Sequence, residues 1–352
     1  MLSRSKSFMH RYLWRAFFAA TFLLPASAFL TNNGSNGIHR CNAHRHHGSM
    51  LRALEFEGEV EVSRTYKTIK DGKNDETETV TSSHPIKYHI HNKMNLSSQK
   101  AAPILVLHGG PGVPSDYLLP LKDVVPYRSI VFYDQLGCGR SPGPDTSAAY
   151  SIEDSLDDLE AVIKKIGLRR FHLYGQSFGG ILAFEYIKRL SEREDNDNDP
   201  KCLSAILSSS PCDVQVVETA AETLIEALLE EDPNRTTIME RFKAQHICQT
   251  EPQPALKNAY EKAGKPGIWR GTDSIKNWKA TPPSESAKRM PSCMVMRGSN
   301  DFVTDECVQG WKDAFNHPYV RLKELEGLAH HGLLEDGARY GEIVDSFFAE
   351  YD

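Results

Sequence analysis

The sequence predicts an α/β fold, a mostly parallel, doubly wound sheet with a helical insertion ahead of its last strands. Three observations predict it. Beyond Glu55, apolar runs of strand length alternate with amphipathic stretches of helix length. Several of those runs are apolar almost without a break, as strands covered on both faces are. Between about Pro211 and Met290 the strand rhythm stops and helical periodicity replaces it.

In chain order, VEVSRTY (60–66) and IKYHIH (86–91) alternate in the manner of half-exposed strands, and the polar DGKNDETETVTSSH between them reads as a loop. PILVLH (103–108), SIVFYD (129–134), FHLYG (171–175), LSAILSS (203–209) and SCMVMRG (292–298) read as buried strands. SIEDSLDDLEAVIKKIG (151–167) reads as a helix. Ser151 is placed to cap it with Asp154 three residues on, and Ile152, Leu156, Leu159, Val162, Ile163 and Ile166 share one stripe. SEREDNDNDP (191–200) reads as a solvated acidic loop. VVETAAETLIEALLEE, TTIMERFKAQHIC and PALKNAYEKAG make the insertion all-helical, which suits a cap over the carboxyl edge of the sheet. The expected division is a leader at 1–54, the first part of the core at 55–210, the cap at 211–290 and the second part of the core at 291–352.

Composition narrows the function. Of 352 residues, 40% are apolar and 25% charged, with a net charge of -6, so no basic field argues for nucleic acid. A body of roughly 300 residues can bury about three quarters of its unfolded surface. The seven cysteines (Cys41, Cys138, Cys202, Cys212, Cys248, Cys293, Cys307) include no C-x-x-C pair and no His/Cys cluster at zinc-site spacing, so neither a disulfide framework nor a metal is expected.

Residues 1–54 contain no acidic side chain. Arg4, Lys6, Arg11 and Arg15 precede the apolar run AFFAATFLL (16–24), and Pro25 followed by Ala26, Ser27 and Ala28 offers a signal-peptidase site, so 1–28 reads as a signal peptide. The apolar run is too short to span a bilayer, so no stable membrane insertion is expected. The ASAF junction and the acid-free Ser-, Asn-, His- and Arg-rich stretch after it resemble the two-part plastid leaders of algae with secondary plastids, which implies a plastid destination. Secretion and a mitochondrial presequence are the alternatives.

The chemistry centres on LYGQSFGG (173–180), in which Gly175, Ser177 and Gly179 have the spacing G-x-S-x-G. An apolar strand precedes it and FGGILAFEYIKRL, with helical periodicity, follows. Strand, tight turn and helix make a nucleophile elbow, whose strained turn lifts the serine oxygen clear of the sheet. A serine hydroxyl needs an imidazole to take its proton and a carboxylate to orient that imidazole. In α/β-hydrolases these partners follow in the order Asp or Glu, then His. MVMRGSNDFVT places Asp301 just past a buried strand, and LEGLAHHGLLE places His330 and His331 in a loop after YVRLKELE. His330 is the expected base and His331 the alternative. Oxyanion donors are expected from the backbone N–H groups of Phe178 and Gly110. His108 is expected to hold its loop by hydrogen bonding.

HGGPG (108–112), YDQLGCGRS (133–141), GQSFGG (175–180), RGSNDFVT (297–304) and GLAHH (327–331) together resemble the proline iminopeptidases, capped serine aminopeptidases of the α/β-hydrolase fold, from about residue 56 to the end. The resemblance implies release of an N-terminal residue, often proline, from short peptides or amides, without a cofactor. It implies Ser177 as nucleophile, Asp301 as orienting acid and His330 as base, with Gly109 and Phe302 beside the substrate and Asp134 and Arg140 in a scaffold turn. Phe178 replaces the Trp or Tyr common in the family. Phe302 stands where some members carry an acid for the substrate amine, and Glu218, Glu222, Glu226 and Asp273 are the cap carboxylates that could serve instead. An amide, ester or lactone hydrolase without a need for a free amine is the second enzyme reading; a non-catalytic binding module on the same scaffold is the third.

Overall fold

The strands are β1 (Phe56–Ile69), β2 (Thr77–His91), β3 (Ile104–Leu107), β4 (Ile130–Tyr133), β5 (Arg170–Gln176), β6 (Lys201–Ser208), β7 (Ser292–Gly298) and β8 (Val320–Leu325). They form one sheet in the order β1-β2-β4-β3-β5-β6-β7-β8. The computed structural model describes residues 55–352 apart from 70–76, 99, 195, 197, 198, 264–274, 317 and 319. The leader and Asp273 lie outside the described residues.

From β4 to β8 all neighbours are parallel, and β2 joins this block antiparallel to β4 through Tyr88–His91. β1 pairs with β2 along its whole length, from Phe56 opposite Ile90 to Ile69 opposite Thr77. The stretch read as a loop is therefore strand from Thr77 onward. Its Thr, Val and Ser residues favour extended backbone. The pattern of that ribbon end hid it, because residues 77–79 are exposed and 80–84 alternate between exposed and half-buried, leaving no apolar face to read. Nearer the core, buried Arg64 ties the ribbon down, donating through Nε to the Ala149 carbonyl at 3.1 Å and pairing through Nη2 with Asp158.

Helices α1 (Ile152–Ile166) and α2 (Phe178–Ser191) pack on the sheet. α1 starts where the Ser151 hydroxyl accepts from the Asp154 N–H at 3.0 Å and stops at Gly167, whose φ of 77° ends the helix. On α2, Ile181, Leu182, Phe184 and Ile187 are fully buried. The Phe184 ring lies 5.0 Å from Trp311 and 5.2 Å from Phe315, an aromatic cluster whose truncation at a single ring costs about 3–5 kcal/mol.

Between β6 and β7 the chain forms α3 (Val214–Glu231), α4 (Ile238–Phe242), a π-helical turn (Lys243–Ile247) and α5 (Pro254–Glu261). After β8 come the short α6 (Gly332–Glu335) and α7 (Gly337–Ala349). In a parallel sheet the carboxyl ends of the strands share one edge, so the loops after β3, β5, β7 and β8 face the same side.

Candidate active site

Ser177 occupies the turn between β5 and α2 with φ 54° and ψ −120°, a conformation that costs a non-glycine residue roughly 1–3 kcal/mol. Neighbouring backbone holds it there. The Ser177 N–H donates to the Ser208 carbonyl at 2.8 Å, and the Gly180 N–H donates to the Ser177 carbonyl at 2.9 Å. The flanking glycines follow from close approach: a Cβ on Gly179 would collide with the Leu107 carbonyl oxygen, and one on Gly175 with the Gly179 carbonyl. Thus the G-x-S-x-G spacing records where α2 crosses the ends of β3 and β5.

Asp301 and His330 meet. The His330 Nδ1–H donates to Asp301 Oδ1 at 2.9 Å, and the same oxygen accepts from the Val303 N–H at 2.9 Å. Both side chains are buried. With Nδ1 protonated toward the carboxylate, Nε2 keeps its lone pair for a proton acceptor's work. The two loops are locked to each other, the Asn300 N–H donating to the Leu328 carbonyl at 2.9 Å and the Ser299 N–H to the Leu325 carbonyl at 3.0 Å. The elbow joins them through Gln176, whose side-chain amide donates to the His330 carbonyl at 3.4 Å. The ring of His331 faces aromatic neighbours instead, with Nε2 3.3 Å from the Tyr260 hydroxyl and the Tyr117 ring edge-on at 5.2 Å. Burial, then the adjacent His330, hold the His331 imidazole well below its usual range, so it stays neutral.

Gly110, Phe178, Phe302 and Ser177 line one small pocket. Gly110 and Phe178, the two expected oxyanion donors, thus border the same space as the serine. Gly109 does not line it: this residue is buried, and its N–H donates to the Tyr117 hydroxyl at 2.8 Å, which ties down the loop. Tyr117 passes the connection on by donating to Gln176 Oε1 at 2.6 Å. Sequence reading did not single out Tyr117 or Gln176. Gln176 lies within GQSFGG without being one of its spacing residues and Tyr117 lies outside every motif, since an ordering role is defined only by the partners that folding brings near.

His108 behaves as a fixture of its loop. Its Nδ1–H donates to the Gly109 carbonyl at 3.0 Å, Nε2 accepts the Gln135 N–H at 2.8 Å, and burial holds the ring below its usual pKa. Asp134 is likewise structural, accepting from the Ser115 N–H, the Ser115 hydroxyl and both the N–H and Nε of Arg140 at 2.8–3.0 Å. Burial pushes its carboxyl up, but Arg140, His108 and these donors outweigh that, and the group lies below its usual range.

The other residues lining the pocket are the apolar Ile181, Pro211, Val214, Val217, Ile275 and Val303 and one acidic residue, Glu218 of α3. Glu222 and Glu226 lie further along α3 and do not line this pocket. Each of the three directly follows a buried residue of α3, Val217, Ala221 and Ile225, so position on the helix alone does not separate them. Among the described residues all six cysteines are free, and no group of three or more His, Cys, Asp or Glu side chains could hold a metal ion.

Residues 102–336 match the α/β hydrolase fold family. The chain belongs to that family. Within it, the chain is 28% identical over 270 residues to a proline iminopeptidase of Saccharolobus solfataricus, covering 69% of this chain and 84% of the relative. It is 29% identical over 282 residues to a proline iminopeptidase of Thermoplasma volcanium, covering 74% and 92%. The crystal structure of a Mycobacterium smegmatis proline iminopeptidase superposes with a TM-score of 0.64 at 22% identity, over 82% of this chain and 98% of that one. These matches agree with the α/β-hydrolase fold of the sheet and its helices.

Proposed function

We propose that this protein is a serine aminopeptidase that releases N-terminal residues, proline favoured, from short peptides through an acyl-enzyme. One observation carries the reading: Glu218 is among the residues that line the pocket with Ser177, Gly110, Phe178 and Phe302, so an acidic residue that could meet a substrate amine shares an otherwise apolar pocket with the candidate nucleophile. An ammonium group buried without such a partner would be costly, whereas a hydrogen bond to a charged group contributes about 1.5–3 kcal/mol. Proline suits the wall, because its ring presents apolar surface and its secondary amine is cationic at neutral pH.

In this mechanism His330 Nε2 takes the Ser177 proton as the oxygen attacks the first carbonyl of the peptide, while Asp301 holds the imidazole and favours its charged form. The N–H groups of Gly110 and Phe178 receive the developing oxyanion. His330 then gives its proton to the departing amine, and water, activated by the same imidazole, releases the first residue from Ser177.

Kinetics with proline naphthylamide, its N-acetylated derivative and a simple acyl ester test the reading. Turnover of the free amine with loss of about tenfold or more on acetylation supports it, as expected for removal of a charged contact. Good ester turnover with no amide turnover would favour the second reading, for which Phe302 in the pocket wall is the motivating residue.

The leader supports a proposal of plastid delivery through a signal peptide followed by a transit segment, resting on its acid-free composition and the ASAF junction. A fluorescent fusion of residues 1–60 showing signal only outside the cell would overturn it.

A further inference from the structure

Glu335 ends α6, the short helix directly after the two histidines, and its carboxylate reaches backbone amides from two distant parts of the chain. Oε2 accepts from the N–H of Ala329, the residue before His330, at 2.8 Å. Oε1 accepts from the N–H of Gln249, between β6 and β7, at 3.2 Å. The Gln249 side chain returns the connection, donating through Nε2 to the Gly327 carbonyl at 3.0 Å.

The same inserted segment grips both members of the Asp301–His330 pair. The His330 N–H donates to the His246 carbonyl at 3.3 Å, and the His331 N–H donates to the Ile247 carbonyl at 3.0 Å. His246 Nδ1 lies 2.8 Å from the carbonyl of Asn300, immediately before Asp301. Phe302 stacks obliquely on His330 with ring centroids 4.5 Å apart, and Phe242 packs on Phe302 at 6.2 Å. The loop so held contains Gly327 at φ 80°, a left-handed residue with no side chain to fix it.

We infer that Glu335 is a positioning residue that clamps the histidine loop to the inserted segment and so sets the His330 imidazole against Asp301 and Ser177. The inference rests on the serine mechanism proposed above. A carboxylate suits the task because it accepts two N–H groups at once in charge-assisted bonds roughly twice as strong as neutral ones. A displacement of the imidazole by about 1 Å would cost on the order of 10² in rate.

Charge gives the clamp a second effect. Asp301 from the loop after β7 and His330 from the loop after β8 both act on Glu335 electrostatically, and Cys248 of the insertion senses it in turn. Burial raises the Glu335 carboxyl, and the two amide donors oppose that rise. As an anion, Glu335 favours the imidazolium that forms on His330 during each transfer.

The test is Glu335→Gln and Glu335→Asp in the full-length enzyme, with active sites counted by fluorophosphonate titration and kcat and KM measured separately on proline naphthylamide. For Glu335→Gln, kcat per titrated site falls about tenfold with KM within about twofold. Glu335→Asp keeps the charge but shortens the reach, so kcat per titrated site falls there too, with KM again within about twofold. A Glu335→Gln enzyme with wild-type kcat per titrated site would overturn the inference, and so would a loss confined to the number of titratable sites or a rise in KM at unchanged kcat. If Glu335→Gln gives no folded enzyme, unchanged kcat in Glu335→Asp overturns it equally. Failure of the wild-type enzyme to react with fluorophosphonate would instead refute the serine mechanism, a result distinct from either.

Discussion

The elbow around Ser177 and the helical insertion contribute to the same pocket by different means. At the elbow the constraints are backbone ones: the left-handed Ser177, the carbonyls of Leu107 and Gly179 that exclude side chains at Gly179 and Gly175, and the Ser177 N–H spent on Ser208. The insertion supplies side chains instead, with Val214, Val217, Glu218 and Ile275 forming the wall. Backbone constraint leaves a glycine signature that survives in any sequence adopting the turn. A wall built of side chains can change without disturbing the fold, so the chemistry and the choice of substrate are separable here.

Substitutions at the two regions should differ in kind. Ser177→Ala should lower turnover of proline naphthylamide by about 10⁶ while circular dichroism and Tm stay near wild type, because the elbow is held by backbone groups the substitution leaves alone. Asp301→Asn should lower kcat by about 10⁴ through misorientation of His330. His330→Ala should be as damaging, whereas His331→Ala, removing a neutral ring packed on Tyr117 and Tyr260, should retain activity within about tenfold. The reverse ranking of the two histidines would break the assignment of the base.

In the insertion, Glu218→Gln should lower kcat/KM for proline naphthylamide by about 10- to 100-fold, the worth of one charged hydrogen bond, and leave hydrolysis of an uncharged acyl ester unchanged. Equal losses on both substrates would join what the comparison separates.

The smallest effect lies outside both regions, where Asp352 accepts from Arg128 at 2.6 Å and from the Ala102 N–H at 2.8 Å. Burial raises its carboxyl, but Arg128, the amide and His172 pull it down to about 2, from 3.8 when unfolded. A depressed carboxyl stabilises the fold above its unfolded value, and that contribution is lost as pH falls from about 4 to about 2. Asp352→Asn should therefore cost about 1 kcal/mol at neutral pH, discounted for its partial exposure, with activity unchanged. The Tm gap from wild type should close as pH approaches 2.

Much of the fold was legible because the parallel strands β3 to β7 are largely buried on both faces and their apolar runs are short and continuous. IVFY at 130–133 and ILVL at 104–107 lie within the runs that predicted them. The β1–β2 ribbon was only half legible, since residues 77–84 pair without burying a face. In the site, Ser177 could be read from local spacing, and Asp301 and His330 from their order after strands. Glu218 could not be distinguished from Glu222 and Glu226, because nothing within the helix says which turn meets the serine. Glu335, Gln176 and Tyr117 act through backbone partners between 6 and 154 residues away, a relation that no periodicity records.

The account stands on Ser177 being a nucleophile activated by the His330–Asp301 pair. Reaction of the full-length protein with a fluorophosphonate, followed by intact mass and peptide mapping, addresses that directly. The account predicts a single adduct on the peptide containing Ser177, formed far more slowly in His330→Ala. An unlabelled chain, or an adduct on another residue with Ser177 unmodified, would contradict it.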